Sequence, residues 1–212
     1  MVSEGHLSAK PRRGYRKTRR AEDEMQTRAQ IVDAAEGLHQ TIGPARTSLS
    51  AIAAQAGVTR ATVYRHFPDD ESLFIACSSQ WLSRQRLPNP GAWATPDDPL
   101  ARLRLGLIDI YRYYRSGEQM LTLIHRDADT VPPSVKARRE VAQSQWLEAL
   151  WHGFGRRRSR KLQAAIGHAV SFETWRSLCI TQGLSNRSAV QLMVDLVATA
   201  GGELGSEIEN LK

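Results

Sequence analysis

A helical spacing of apolar positions first appears at Ile31. Ile31, Ala34, Ala35, Leu38 and Ile42 recur at three- and four-residue steps, which predicts a helix starting near Thr27. Glu22, Asp23 and Glu24 sit just ahead, where a helix N-terminus favours negative charge. Gly43-Pro44 stops the helix. Upstream, residues 1–24 are polar, contain Pro11 and Gly14 and show no period, so they read as a disordered arm. A short second helix follows Ser48, its expected N-cap, and carries Leu49, Ile52 and Ala53. Ala56-Gly57-Val58 breaks it, with Gly57 able to take positive φ at no steric cost. Thr59 is the expected N-cap of a third helix, which runs to about His66 and ends before Pro68. Asp69 or Asp70 caps a fourth, with Leu73, Phe74, Cys77 and Trp81.

Residues 87–99 hold four of the nine prolines and mark the best internal boundary. Beyond them every periodic segment is helical. Leu100, Leu103, Leu107, Tyr111 and Tyr114 share one face; Met120, Leu121 and Ile124 mark a shorter helix, ended before Pro132-Pro133. Val141, Leu147, Leu150, Trp151 and Phe154 mark another. Two long segments close the chain, the first with Leu162, Ile166, Ala169, Val170, Phe172 and Leu178, the second with Ala189, Leu192, Met193, Leu196, Val197 and Ala200. No stretch alternates with period two. The pattern predicts an all-α chain of about nine helices, divided into an arm (1–24), a compact N-terminal unit (25–75) and a larger helical unit (76–212).

Length and composition narrow the class. The 212 residues suffice for one domain or two small ones. No apolar run approaches the roughly 18 residues of a membrane span, and no apolar stretch follows the basic N-terminus as in a secretory signal. Cys77 and Cys179 build no disulfide framework and point to a reducing cytosol. The formal charge is +7, and it is local: Lys10, Arg12, Arg13, Arg16, Lys17, Arg19 and Arg20 lie in one stretch without an acid. Two readings fit that stretch, an arm that binds nucleic acid and a solvated tail.

Residues 31–67 carry the functional signal. Two helices joined by a short turn with a glycine form a helix-turn-helix. Ile31, Leu38, Leu49, Ile52, Val58 and Val63 supply its core and hold the third helix clear of the surface, at a width that fits the major groove. Thr59, Arg60, Thr62, Tyr64, Arg65 and His66 are expected to point outward. The string from Ile52 through Ala56-Gly57-Val58-Thr59 and Tyr64-Arg65-His66-Phe67 to Leu73-Phe74 resembles the DNA-binding domain of the tetracycline-repressor (TetR/AcrR) family. Trp175-Arg176-Ser177-Leu178, Gly183-Leu184, Ala189 and Leu192-Met193 look like the last two helices of that family.

The resemblance implies a homodimeric, ligand-responsive repressor acting on a palindromic operator. It implies phosphate contacts by Thr27, Ser48 and Thr59, base contacts by Arg60 and Thr62, and a backbone grip by Tyr64 and His66. Phe67, Leu73 and Phe74 would join the DNA-binding unit to the fourth helix, the mechanical link. The chain departs from the family at Asp70, where a cation usually touches phosphate; Arg12, Arg13, Arg16, Lys17, Arg19 and Arg20 would compensate by following the backbone or a minor groove. An unidentified apolar or amphipathic effector would sit among the helices from about residue 100 to 180, with Trp81, Tyr111, Tyr114, His125, Trp146 and Trp151 as its candidate lining. The dimer would form through Phe172, Trp175, Leu178, Ala189, Leu192, Met193, Leu196 and Ala200.

Other signals are weaker. His125-Arg126-Asp127 spells a kinase catalytic-loop tripeptide without the glycine-rich loop or Asp-Phe-Gly, and reads as chance or as a polar helix end rather than a metal site. Arg156-Arg157-Arg158-Ser159-Arg160-Lys161 reads as a solvated loop. Gly-x-Ser-x-Gly, the P-loop and the dinucleotide fingerprint are all missing, so no enzyme, metal or cofactor is expected. Two rival readings stay open: an activator or global DNA binder of the same fold without an effector, and an all-α enzyme with a pocket.

Overall fold

The computed structural model describes residues 13–154 and 159–202. Among the described residues ten α-helices form: α1 (Arg13–Thr41), α2 (Leu49–Gln55), α3 (Arg60–His66), α4 (Asp70–Ser83), α5 (Pro99–Ser116), α6 (Glu118–Arg126), α7 (Pro133–Trp151), α8 (Arg160–Val170), α9 (Phe172–Arg176) and α10 (Asn186–Gly201). Helix α9 runs on into a π-helical turn, Ser177–Thr181. The extra helix arises at Ser171. Its extended backbone ends α8, and its hydroxyl accepts from Thr174 N at 3.1 Å to cap α9. A serine on the polar side of a continuous apolar period leaves no mark on that period.

The first helix begins at Arg13, which corrects the disordered reading of residues 13–24. This stretch is polar nearly all round and so shows no apolar period, but its Arg, Lys, Ala and Glu residues are strong helix formers. Arg20 and Glu24 also pair one turn apart, Nε to Oε1 at 3.4 Å. Residues 1–12, Arg12 included, and Arg156, Arg157 and Arg158 lie outside the described residues.

Two cores form, and α4 enters both. The N-terminal core joins Ile31, Val32, Ala34, Ala35, Ile52, Ala53, Val63, Phe67, Leu73 and Cys77. The larger core starts at Trp81, one turn further along α4, and gathers α5 to α10 around Leu107, Tyr111, Leu150, Ile166 and Trp175. Between them Phe74 packs on Val131 and Val135. The cores therefore part inside α4 rather than at a linker.

His39 sits where α1 meets α4, 4.9 Å from the Phe74 ring, with Nδ1 3.4 Å from Cys77 Sγ. Burial lowers its pKa from 6.5 to about 4, and burial pushes the Cys77 thiol up to about 12. The folded protein keeps the imidazole neutral, whereas the unfolded chain takes up a proton below pH 6.5. Stability is then expected to fall as pH drops from 6.5 towards 4, by an amount on the order of 3 kcal/mol, and to level off below. Urea midpoints across this range should show a shallower slope in His39→Gln.

Candidate nucleic-acid interface

The turn between α2 and α3 is short and fully bonded. Ala56 N and Val58 N donate to Ile52 O and Ala53 O, each at 2.9 Å, and Gly57 takes φ 67°. That left-handed backbone favours glycine and turns the chain by one residue into α3. Ser48 caps α2 by accepting from Ala51 N at 3.1 Å. Thr59 caps α3 by accepting from Thr62 N at 3.1 Å, and its hydroxyl lies 3.0 Å from that of Thr62. Asp69, not Asp70, caps α4, accepting from Ser72 N at 2.7 Å.

Val63 at 1% exposure and Phe67 at 2% anchor the inner side of α3. The Arg28 guanidinium lies over the Phe67 ring, 4.6 Å from its centroid, and ties α1 to the end of α3. With that side fixed, Thr59, Arg60, Tyr64 and Arg65 are exposed, and Thr62 and His66 are half-buried. His66 Nε2 is buried and, among the described residues, makes no hydrogen bond. Thr27 is half-buried, its hydroxyl donating to Asp23 O at 2.8 Å, and Ser48 is exposed. Arg19 and Arg20 are exposed on the outer part of α1. Arg13, Arg16 and Lys17 lie on the same helix by their backbone. The set thus brings together helix-end hydroxyls, guanidiniums and a phenol on one small unit. Two exposed cations near it, Arg28 and Arg46, were absent from the sequence-based set. Arg46, two residues before the Ser48 cap, carried a signal in its position.

The other two predicted groups fall differently. The six candidate pocket residues lie in or against the larger core as packed rings. Tyr111 and Tyr114 donate their hydroxyls to Ala169 O and Val170 O at 2.8 and 2.7 Å. Trp146 lies edge-on to Tyr114 at 6.4 Å, and His125 stacks on Phe172 at 4.4 Å. Trp81 and Trp151 are each 8% exposed. A polar cleft of about 600 Å³ between α1, α4 and the α5–α6 junction takes only Trp81 from this set. Of the expected dimer residues, Phe172, Trp175, Ala189 and Met193 are buried within the single chain and so are not available to a partner. Leu192 and Leu196 are 46% and 42% exposed, and Leu178 and Ala200 are half-buried. Apolar spacing marks both faces of such a helix, and the wider one turned inward.

Among the described residues no group of three or more His, Cys, Asp or Glu is placed to hold a metal, and no helix is long and apolar enough to cross a membrane. Fold and exposed α3 together define an all-α helix-turn-helix protein. Residues 31–77 match the family "Bacterial regulatory proteins, tetR family". It is 36% identical over 94 residues to the HTH-type transcriptional regulator TtgR of Pseudomonas putida, covering 44% of this chain and 45% of that one. The same figures hold for a probable HTH-type transcriptional regulator, ArpR, of the same species. The chain therefore spans about half the length of the curated relatives it matches. Its fold is similar to that of NalD, the secondary repressor of the MexAB-OprM multidrug efflux pump in Pseudomonas aeruginosa, with TM-score 0.56, 24% identity, and 84% of this chain and 97% of that chain covered. A TetR-like transcriptional regulator from Rhodococcus sp. RHA1 is similar at TM-score 0.56 and 19% identity, over 84% of this chain and 96% of that chain.

Proposed function

We propose that the protein is a DNA-binding transcriptional repressor that reads a palindromic operator as a homodimer and releases it on binding a small apolar or amphipathic effector. The observation that carries this reading is α3: its inner side is locked by Val63 and Phe67 while Arg60, Tyr64 and Arg65 face outward. Such a helix fits the major groove, and its capped N-terminus favours a phosphate. One short helix reads few bases, so two copies on a palindrome supply useful specificity. Leu192 and Leu196 on α10 offer an apolar seam for the second copy. The effector acts by binding two spacings of the recognition helices unequally. Entry into the Tyr114–Trp146–Trp175 stack requires rings to move apart, which couples occupancy to shape.

Selection of bound sequences from random duplex DNA tests the reading. A palindromic consensus protected at two half-sites one helical turn apart is expected. Recovery of no sequence above background overturns it. The basic arm has its own test. Deleting residues 1–20 should flatten the dependence of binding on salt, since each lost phosphate contact lowers the slope of log K against log salt by about one. An unchanged slope makes those cations a solvated extension.

A further inference from the structure

The tripeptide His125-Arg126-Asp127 ends α6 against the turn that joins α1 to α2. Asp127 is 8% exposed. Its carboxylate accepts from Arg126 Nε at 2.7 Å and Nη2 at 2.8 Å, and from the backbone N–H of Ala45 at 3.1 Å. Arg126 Nη2 also donates to Ile42 O at 2.8 Å. The pair thus closes a ring of hydrogen bonds between α6 and residues 42–45, more than 80 positions away in sequence. Gly43, at φ 88°, lets the two sides meet: a Cβ there would lie 2.3 Å from Arg126 Nη2 and 2.4 Å from Asp127 Oδ2.

The location gives this contact a consequence beyond stability. Residues 42–47 lead directly into the Ser48 cap of α2, and α2 packs on α3. Helix α6, through Met120 and Leu121, belongs to the larger core. The N-terminal unit is therefore held along α4 and along the contact of α1 with α6, which this turn closes. A body held along one helix can rock about it; a second fixed point removes that freedom. The side-chain hydrogen bond from Arg126 keeps the Asp127 carboxyl below the usual carboxylate range, so the anion persists to a lower pH than that of a free aspartate.

We propose that Arg126 and Asp127 are positioning residues for DNA recognition: they latch the α1–α2 turn to α6 and set the attitude of α3 relative to the α5–α10 bundle. The inference rests on the DNA-binding reading for its meaning, but not for its first test. Nitroxides at Ala61→Cys on α3 and Ile108→Cys on α5, both exposed positions, report that attitude in DNA-free protein; Cys77 and Cys179 are buried. With labelled chains diluted into unlabelled protein, one narrow distance distribution is expected. Arg126→Ala and Asp127→Ala should each at least double its width with helical content unchanged, and Arg126→Lys, which keeps a donor to Ile42 O, should restore most of it. A width unchanged in both alanine variants overturns the latch, whatever the protein does on DNA. On the selected palindrome the same variants should lose about tenfold in affinity while binding to an isolated half-site holds. Equal losses on both overturn the positioning role. If no DNA is selected by the unmodified protein, the repressor reading falls and the distance distributions still decide the latch.

Discussion

Arg60→Ala is expected to lower affinity for the selected palindrome by about ten- to a hundredfold and to relax preference at one base position in each half-site. Arg60 opens α3 and is exposed. On the proposed reading a guanidinium there meets a guanine edge with two parallel hydrogen bonds, a contact worth about 1–3 kcal/mol of discrimination. The neighbouring Thr59 hydroxyl is engaged with Thr62, so that pair does not replace the lost fork. Titration on the consensus and on single-base variants separates the two effects. A loss that is uniform over all variants, with a shallower salt dependence, assigns Arg60 to phosphate instead. Arg86→Ala, exposed in the loop after α4, should leave binding unchanged and serves as the control.

Trp175→Ala should have the largest effect on folding, about 3–5 kcal/mol. The indole is 0% exposed, lies 5.8 Å from the Tyr114 ring and 5.4 Å from Phe172, and donates Nε1–H to Asn186 Oδ1 at 3.2 Å. Truncation opens a cavity and removes one of two donors to Asn186 Oδ1, leaving Arg115 Nη2 at 3.3 Å. A loss of this size is a large part of the total stability of a small protein. Urea unfolding at protein concentrations too low for association makes the distinction that matters. A loss that persists there comes from the interior of one chain. Leu196→Asp should do the opposite, leaving the unfolding midpoint of the separated chain nearly in place while shifting sedimentation to the lighter species.

These two residues also show how far the sequence could be read. The α3 unit was legible because its signals are local: a cap at Ser48 and Thr59, a left-handed glycine at 57, and a proline after Phe67. Each acts within four residues, so each leaves a trace in the string. The side to which Trp175 or Leu192 turns is not local. Apolar spacing gives the stripe of a helix, and the neighbours that α5, α8 and α10 make for one another decide which part of the stripe is covered. For the same reason the six aromatic and histidine positions assigned to an effector were recognisable as interior-seeking, but not as rings already in contact. Arg126 and Asp127 stood out in sequence only for an accidental tripeptide. Their partners, Ile42 and Ala45, are backbone atoms that no residue pattern announces. The helical start at Arg13 was hidden for another reason. A segment with no apolar face to bury carries no period, whatever its propensity.

Helix α1 is one unbroken rod from Arg13 into the Ile31–Ala35 core, 29 residues or about 43 Å. Its cations ride on a lever whose bearing is inside the reading head. On the proposed reading, those cations reach only the stretch of duplex toward which that lever is aimed. A coiled sleeve of the same charge would cling to any nearby phosphates; a stiff one makes the flanking sequence part of the address.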